Sequence, residues 1–247
     1  MLNPSEKERY LRQLSMPEIC QSGQQKIGQA RVFIAGVGGL GSLSAYYMTA
    51  AGVGLIRLVD GDRVALSNLN RQIMHATTDI GRWKTVSAGE KLSRLNPDCK
   101  LDLIQERITP ENAIELVRGC HLILDATDNL ITRKALNRAA IALQIPFVFG
   151  GVDGFTGMVS TFKPPQTACF ECIFPNGADK PDNPIGVLGP VAGLVATLQC
   201  IEAIKYILDL GDSLFNRLLR VDTRKMVFKK TKLIRNGTCR ICGKGGR

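Results

Sequence analysis

Short apolar runs alternate along this chain with stretches in which apolar residues recur every three or four positions. The runs Arg31–Ala35, Leu55–Val59, Lys100–Gln105, Leu122–Asp125 and Phe147–Phe149 read as strands. Between them Ser42–Ala51, Thr85–Leu95, Pro110–Val117 and Asn129–Leu143 read as helices. Asn96-Pro97 stops the second of these, and Pro110 opens the third. Strand–helix alternation predicts an α/β fold: a Rossmann-like, mostly parallel sheet with helices on both faces. Residues 1–30 read as helix and connector, with Gly23 and Gly28 as breaks. After Gly150 the pattern changes. Val159–Phe162 extends the sheet in an orientation the sequence leaves open. Residues 163–190, rich in Pro, Gly and Asp, read as a long loop. Val191–Leu210 is a strong helix, and Leu218–Asp222 and Met226–Leu233 read as closing strands. The basic stretch Arg224–Lys232 alternates like a strand with one solvated face. With no internal repeat, residues 1–247 read as one domain: a helical segment (1–30), an α/β core (31–150) and a C-terminal part (151–247).

Composition narrows the class. A 45% hydrophobic content excludes an intrinsically disordered chain. No apolar run reads as reaching the ~18 residues of a membrane helix. The polar start MLNPSEKERYLRQ is unlike a secretory signal, so a cytoplasmic protein is expected, with disulfides not the default use of its cysteines. The net charge of +10 admits a nucleic acid, an anionic lipid, a nucleotide or an acidic protein as partner.

The chemistry begins at Gly36-Val-Gly38-Gly39-Leu-Gly41, a G-x-G-x-x-G turn between a strand and a helix. Such glycines let backbone N–H groups approach a phosphate at a helix N-terminus. Asp60 ends the next strand, where a carboxylate holds ribose hydroxyls. Alone, these features favour a nicotinamide dinucleotide, NAD(P). The segment Asp60-Gly-Asp62-Arg-Val-Ala-Leu-Ser67-Asn68-Leu69-Asn70-Arg71-Gln72 and the later Gly81-Arg-Trp-Lys84 are odd for a dehydrogenase. Arg clamps phosphate bidentately and Lys offers a mobile charge. Asp125-Ala-Thr127-Asp128-Asn129 ends a strand, and Asp128 is a hard oxygen donor suited to Mg²⁺. A carboxylate, two cations and a glycine cradle fit phosphate or nucleotidyl transfer. Only two histidines are present; His75 reads as structural or surface, with a functional role as the alternative, and His121 reads as structural.

Cys169-Phe-Glu-Cys172 and Cys239-Arg-Ile-Cys242 are paired C-x-x-C motifs able to complete a tetrahedral four-sulfur site. Zinc is favoured over a redox pair or an iron–sulfur centre. Bound there, it would staple the tail to the loop after the sheet. Cys20, Cys99, Cys120 and Cys200 follow no pattern, and buried thiols are the default reading.

GVGGLGS, DGDRVALSNLNRQ, GRWK and DATDN, with the opening Arg9-Tyr10-Leu11-Arg12-Gln13, closely resemble the HesA/MoeB/ThiF family, bacterial relatives of ubiquitin-activating enzymes. The resemblance covers nearly the whole chain. It implies ATP-dependent adenylation of the C-terminal glycine carboxylate of a ubiquitin-like sulfur carrier ending in Gly-Gly, for molybdopterin, thiamine or a related pathway. It implies an ATP site drawn from Gly36, Gly38, Gly39, Gly41, Asp60, Asp62, Ser67, Asn68, Leu69, Asn70, Arg71, Gln72, Lys84, Thr127, Asp128 and Asn129. Within it Gly39 and Asp60 meet the nucleotide, Asn68, Arg71 and Lys84 handle phosphates, and Asp128 handles Mg²⁺. Arg12 would reach the partner's ATP in a homodimer, and the four paired cysteines would hold structural zinc. A sulfurtransferase or cysteine desulfurase is a further implied partner, while membrane and nucleic acid are not. One departure stands out. Many relatives carry a cysteine in the crossover loop, but Asn176–Pro190 has none, and Asp182 lies near that position. Competing readings are adenylation of a non-protein carboxylate such as a tRNA nucleoside, a non-catalytic scaffold, and a dinucleotide oxidoreductase.

Overall fold

The computed structural model describes residues 2–163, 165–175 and 186–243. Eight strands form one sheet: β1 (Arg31–Ala35), β2 (Leu55–Val59), β3 (Lys100–Ile104), β4 (Leu122–Asp125), β5 (Phe147–Asp153), β6 (Thr156–Phe162), β7 (Arg217–Asp222) and β8 (Val227–Lys232). Their order is β3-β2-β1-β4-β5-β6-β7-β8. The β3-to-β5 half is parallel, and β6, β7 and β8 add on antiparallel. The extension whose direction the sequence left open is therefore a hairpin from β5, turning at Gly154 with φ +56°.

Nine helices surround the sheet among the described residues: α1 (Pro4–Arg9), α2 (Leu11–Leu14), α3 (Cys20–Gln29), α4 (Gly39–Ala50), α5 (Lys84–Leu95), α6 (Ala113–Val117), α7 (Leu130–Leu143), α8 (Phe170–Ile173) and α9 (Gly189–Leu208). Period-two alternation sorts the strand side chains. Val32, Ile34, Ile56, Leu58, Leu122 and Leu124 pack under α3, α4, α5 and α9, against residues such as Ile27, Met48, Leu92 and Ala203. Phe33, Ala35, Val59, Ile123, Phe147 and Phe149 pack on the other face, against Leu116, Leu136 and Ala139 of α6 and α7. Both faces are covered, which is why the central strands are apolar throughout.

Several expectations need correction. Gly23 and Gly28 lie inside α3 rather than breaking it. Gly23 serves close packing, since a Cβ there would stand 3.1 Å from Leu208 Cδ2. The strand at 224–232 has no buried face: every residue of β8 is exposed, because β8 ends the sheet and among the described residues no helix covers it. The loop after β6 contains α8, a short helix that starts after Cys169 and carries Cys172. The helix expected at Pro110 begins at Ala113. Gly189–Leu208 is, after all, long and apolar enough to cross a membrane. In this fold it is a core helix, with Val195, Ala196, Cys200 and Ala203 buried against the sheet and α4.

Candidate functional site

Strand register builds the site. Ala35 pairs with Val59 on one side and Asp125 on the other. The next residues, Gly36, Asp60 and Ala126, therefore leave the sheet side by side at its carboxyl edge. Strand order also reverses there, between β1 and β4. Ligands of open α/β sheets bind at such a switch point.

The glycines divide into two pairs. Gly36 has φ +87°, and a Cβ on Gly41 would fall 1.8 Å from the Gly36 carbonyl. These two let α4 start directly against the end of β1. Gly38 and Gly39 instead lie on the open side, beneath Gln72 and Arg71. The first N–H groups of α4 have no intrahelical acceptor. From Gly38 to Gly41 no N–H has a protein partner among the described residues, the first bond being Ser42 N–H to Gly38 O at 3.0 Å. The turn thus presents a cluster of free donors at the positive end of a helix.

Asp60 braces this turn. Its carboxylate accepts from Val37 N–H at 2.7 Å and from Asp62 N–H at 2.8 Å. Burial pushes its pKa up, and Lys84 with those two donors opposes the shift. Lys84, buried at the start of α5, reaches Asp62 at 3.1 Å and stands 4.0 Å from Asp60. Arg107 Nη2 is 3.8 Å from Asp62, a cation that sequence reasoning missed.

The segment from 66 to 75 folds over the glycines. Leu66–Asn68 forms a 3₁₀ turn, with Asn68 Oδ1 accepting from Ala65 N–H. Ser67 and Asn70 are exposed and Leu69 is half-buried. Arg71 donates to Ser67 O at 2.9 Å and to Asn70 Oδ1 at 3.1 Å. The start of α9 closes on this segment: a Cβ on Gly189 would meet Asn70 O at 2.8 Å. Gln72 is buried, and its Oε1 lacks a partner.

The third wall is the loop after β4. Buried Asp125 accepts from the Thr127 N–H and hydroxyl at 3.1 and 2.6 Å. Arg133 of α7 pairs with Asp125 at 3.1 Å and donates to Thr127 O and Gly150 O. Burial raises the Asp125 pKa, opposed first by Arg133. Gln199 of α9 donates to Asp125 O at 2.7 Å and Val148 O at 3.0 Å, tying two strand ends together. Asn129 caps α7 through Thr132 N–H. Asp128 is exposed, and among the described residues its side chain meets only a long 3.4 Å approach by Asn129 Nδ2. Its carboxylate is therefore open to a cation such as Mg²⁺, for which oxygen donors are suited.

These groups meet at one edge of the sheet, except Arg12. It is exposed on α2, whose neighbour Gln13 bonds Ala51 O at the far end of α4 from the glycine turn. Arg12 does not reach its own chain's site. His75, Arg133 and Gln199 support the site from behind, yet no motif spacing marks them.

A second cluster lies across α7. The sulfurs of Cys169, Cys172, Cys239 and Cys242 all lie within 4.8 Å of one another, three of the pairs at 3.8, 3.8 and 3.4 Å. Zinc–sulfur bonds of ~2.3 Å at tetrahedral angles place sulfurs about 3.8 Å apart, so the donor set fits zinc. Burial works against ionisation at Cys239, but donors from the Cys242 and Ile241 backbone outweigh it and bring that thiol to about 7. Beside the cluster, buried Glu171 pairs with Arg240 and with Lys134 of α7, the latter at 3.7 Å, so an ion pair also joins the two C-x-x-C segments. Of the remaining cysteines, Cys99, Cys120 and Cys200 are buried and Cys20 is exposed.

Residues 10–241 match the ThiF family. The chain belongs to the ThiF family. It is an adenylyltransferase. A sulfur carrier protein adenylyltransferase of Thermus thermophilus is 38% identical to this ThiF-family enzyme, covering 96% of this chain and 91% of its own. The sulfur carrier protein ThiS adenylyltransferase of Escherichia coli is 37% identical, covering 98% and 97%. The crystal structure of E. coli MccB with AMPCPP and MccA superimposes with a TM-score of 0.85 at 22% identity, over 98% of this chain and 76% of that one, and shares the fold. The family excludes the oxidoreductase reading of the glycine turn.

Proposed function

We propose that this enzyme uses ATP to adenylate the C-terminal glycine carboxylate of a small ubiquitin-like sulfur carrier ending in Gly-Gly. The observation that carries the reading is the set of free N–H donors from Gly38 to Gly41, roofed by Arg71 and flanked by Lys84. A carboxylate oxygen attacks the α-phosphorus. The bond from that phosphorus to the bridging oxygen breaks, and pyrophosphate leaves with the electron pair. Two anions must approach, so the reaction needs positioning and neutralisation more than a nucleophilic side chain. The glycine donors hold phosphate oxygens, and Arg71 and Lys84 offset the developing charge. Lys84 waits on Asp62, so phosphate exchanges one anionic partner for another. Asp128 is the residue to hold Mg²⁺, which would lower the repulsion between the two anions.

The names of the Thermus and E. coli relatives support a sulfur carrier as substrate. Molybdopterin, thiamine or a related sulfur-transfer synthesis in the cytoplasm is the setting. The four cysteines hold structural zinc, and a homodimer brings Arg12 to the partner's ATP. The chain has no cysteine from 176 to 190, and Asp182 lies outside the described residues. Adenylation proceeds without a thiol there, and this loop offers none for a covalent transfer step. A sulfurtransferase or cysteine desulfurase supplies the sulfur afterwards.

ATP–pyrophosphate exchange tests this. Exchange should depend on a carrier ending in Gly-Gly, and Asp128→Ala should abolish it without changing the melting temperature. If neither carriers nor small carboxylates support exchange, catalysis is excluded. Full exchange by Asp128→Ala removes that residue from cation binding.

A further inference from the structure

His75 is buried behind the glycine turn. Its Nε2 lies 3.3 Å from the Val37 carbonyl and its Nδ1 2.9 Å from Ser87 Oγ. A carbonyl only accepts, so Nε2 carries the hydrogen. Nδ1 is then bare and accepts from the Ser87 hydroxyl. Ser87 Oγ in turn accepts from Lys91 Nζ at 2.7 Å, and an ammonium only donates. The chain from Lys91 through Ser87 and His75 to Val37 O thus runs in one direction. Lys91 is fixed on buried Asp79, which Arg82 also contacts. Burial holds the His75 pKa down; Lys91 and Lys84 also depress it, while the Val37 carbonyl and Asp79 oppose. The imidazole stays neutral, as this geometry requires.

Val37 is gripped on both sides, its N–H by Asp60 and its carbonyl by His75. In a trans peptide the C=O and the following N–H point opposite ways. With the Val37 carbonyl turned inward, the Gly38 N–H faces outward, toward the side where it has no protein partner. We infer that His75 is a positioning residue that aims the Gly38 N–H, and with it the glycine turn, at the phosphates of ATP. Lys84, Ser87 and Lys91 lie on one face of α5, so the helix that supplies a phosphate cation also supplies the support for His75. The inference rests on the adenylation reading for the identity of the phosphate ligand.

Calorimetric binding of ATP, of adenosine and of the carrier by wild type, His75→Leu and His75→Gln tests it. His75→Leu should weaken ATP about tenfold while adenosine and carrier affinities stay within about twofold. His75→Gln, which restores a donor, should recover ATP binding to within about threefold of wild type. ATP binding unchanged in His75→Leu overturns the inference, as does equal loss of ATP and adenosine, or no recovery with Gln. Wild-type protein that binds no ATP refutes the adenylation reading itself. If His75→Leu does not fold, Ser87→Ala serves instead, with ATP weakened about threefold and adenosine unchanged; unchanged ATP affinity there overturns the inference.

Discussion

Replacing Arg133 by Met probes the most heavily buried charge at the site. Asp125 is wholly buried, and the Arg133 side chain is 15% exposed. Losing one partner of such a pair leaves the other charge uncompensated and costs about 3–5 kcal/mol. At roughly 2–4 °C per kcal/mol for a domain of this size, the melting temperature should fall by about 6–20 °C. Asp125→Asn in the same chain removes the orphaned charge, so the double variant should be more stable than Arg133→Met alone. The pH dependence follows from burial, which already raises the Asp125 pKa in the folded state. Between the unfolded value of ~3.9 and the raised folded value, the native state holds a proton the unfolded state has lost. Stability through this group therefore falls as pH rises. Removing Arg133 raises the folded pKa further, so the deficit of the variant should grow from mildly acidic to neutral pH. Urea unfolding across that range, with thermal melts, measures each quantity. An Arg133→Met deficit below about 1 kcal/mol, or one independent of pH, would refute the reasoning.

Two other outcomes follow from the proposed function. Metal analysis should find one zinc per chain, and strong chelation should lower the melting temperature by several degrees; stably folded, zinc-free protein excludes the staple. Mixing Arg12→Ala chains with Asp128→Ala chains should restore part of the exchange activity through heterodimers, whereas no recovery despite subunit exchange removes Arg12 from the partner's site.

The parallel half of the sheet was legible because buried strands carry their own punctuation. β1, β2 and β4 start and stop where the apolar runs do, bounded by Gly36, Asp60 and the Asp125 loop. The glycine turn, Arg71 and Lys84 could be grouped from sequence by residue type and spacing, and the fold brings them to one edge of the sheet. The supporting residues were not. Gln199 bonds carbonyls 74 and 51 residues away, and His75 bonds one 38 residues away. Such contacts are made to backbone, which leaves no partner type to search for. Gly23 and Gly28 misled for a related reason: a glycine needed for contact with another element looks the same as one that ends a helix. The 163–190 stretch concealed α8 because four residues carry too little periodicity to register, and the residue before it, Cys169, makes no side-chain capping bond.

The uncovered last strand has a consequence for the free protein. β8 ends the sheet with Val227 and Phe228 about half exposed, next to Met226 at 73%. An open edge with apolar side chains is a template for pairing with another chain. Lys229, Lys230 and Lys232 stand on that same edge, and mutual repulsion between copies keeps it from zipping up. Part of the +10 charge thus works as a colloidal guard whose strength fades as salt rises and the screening length shortens.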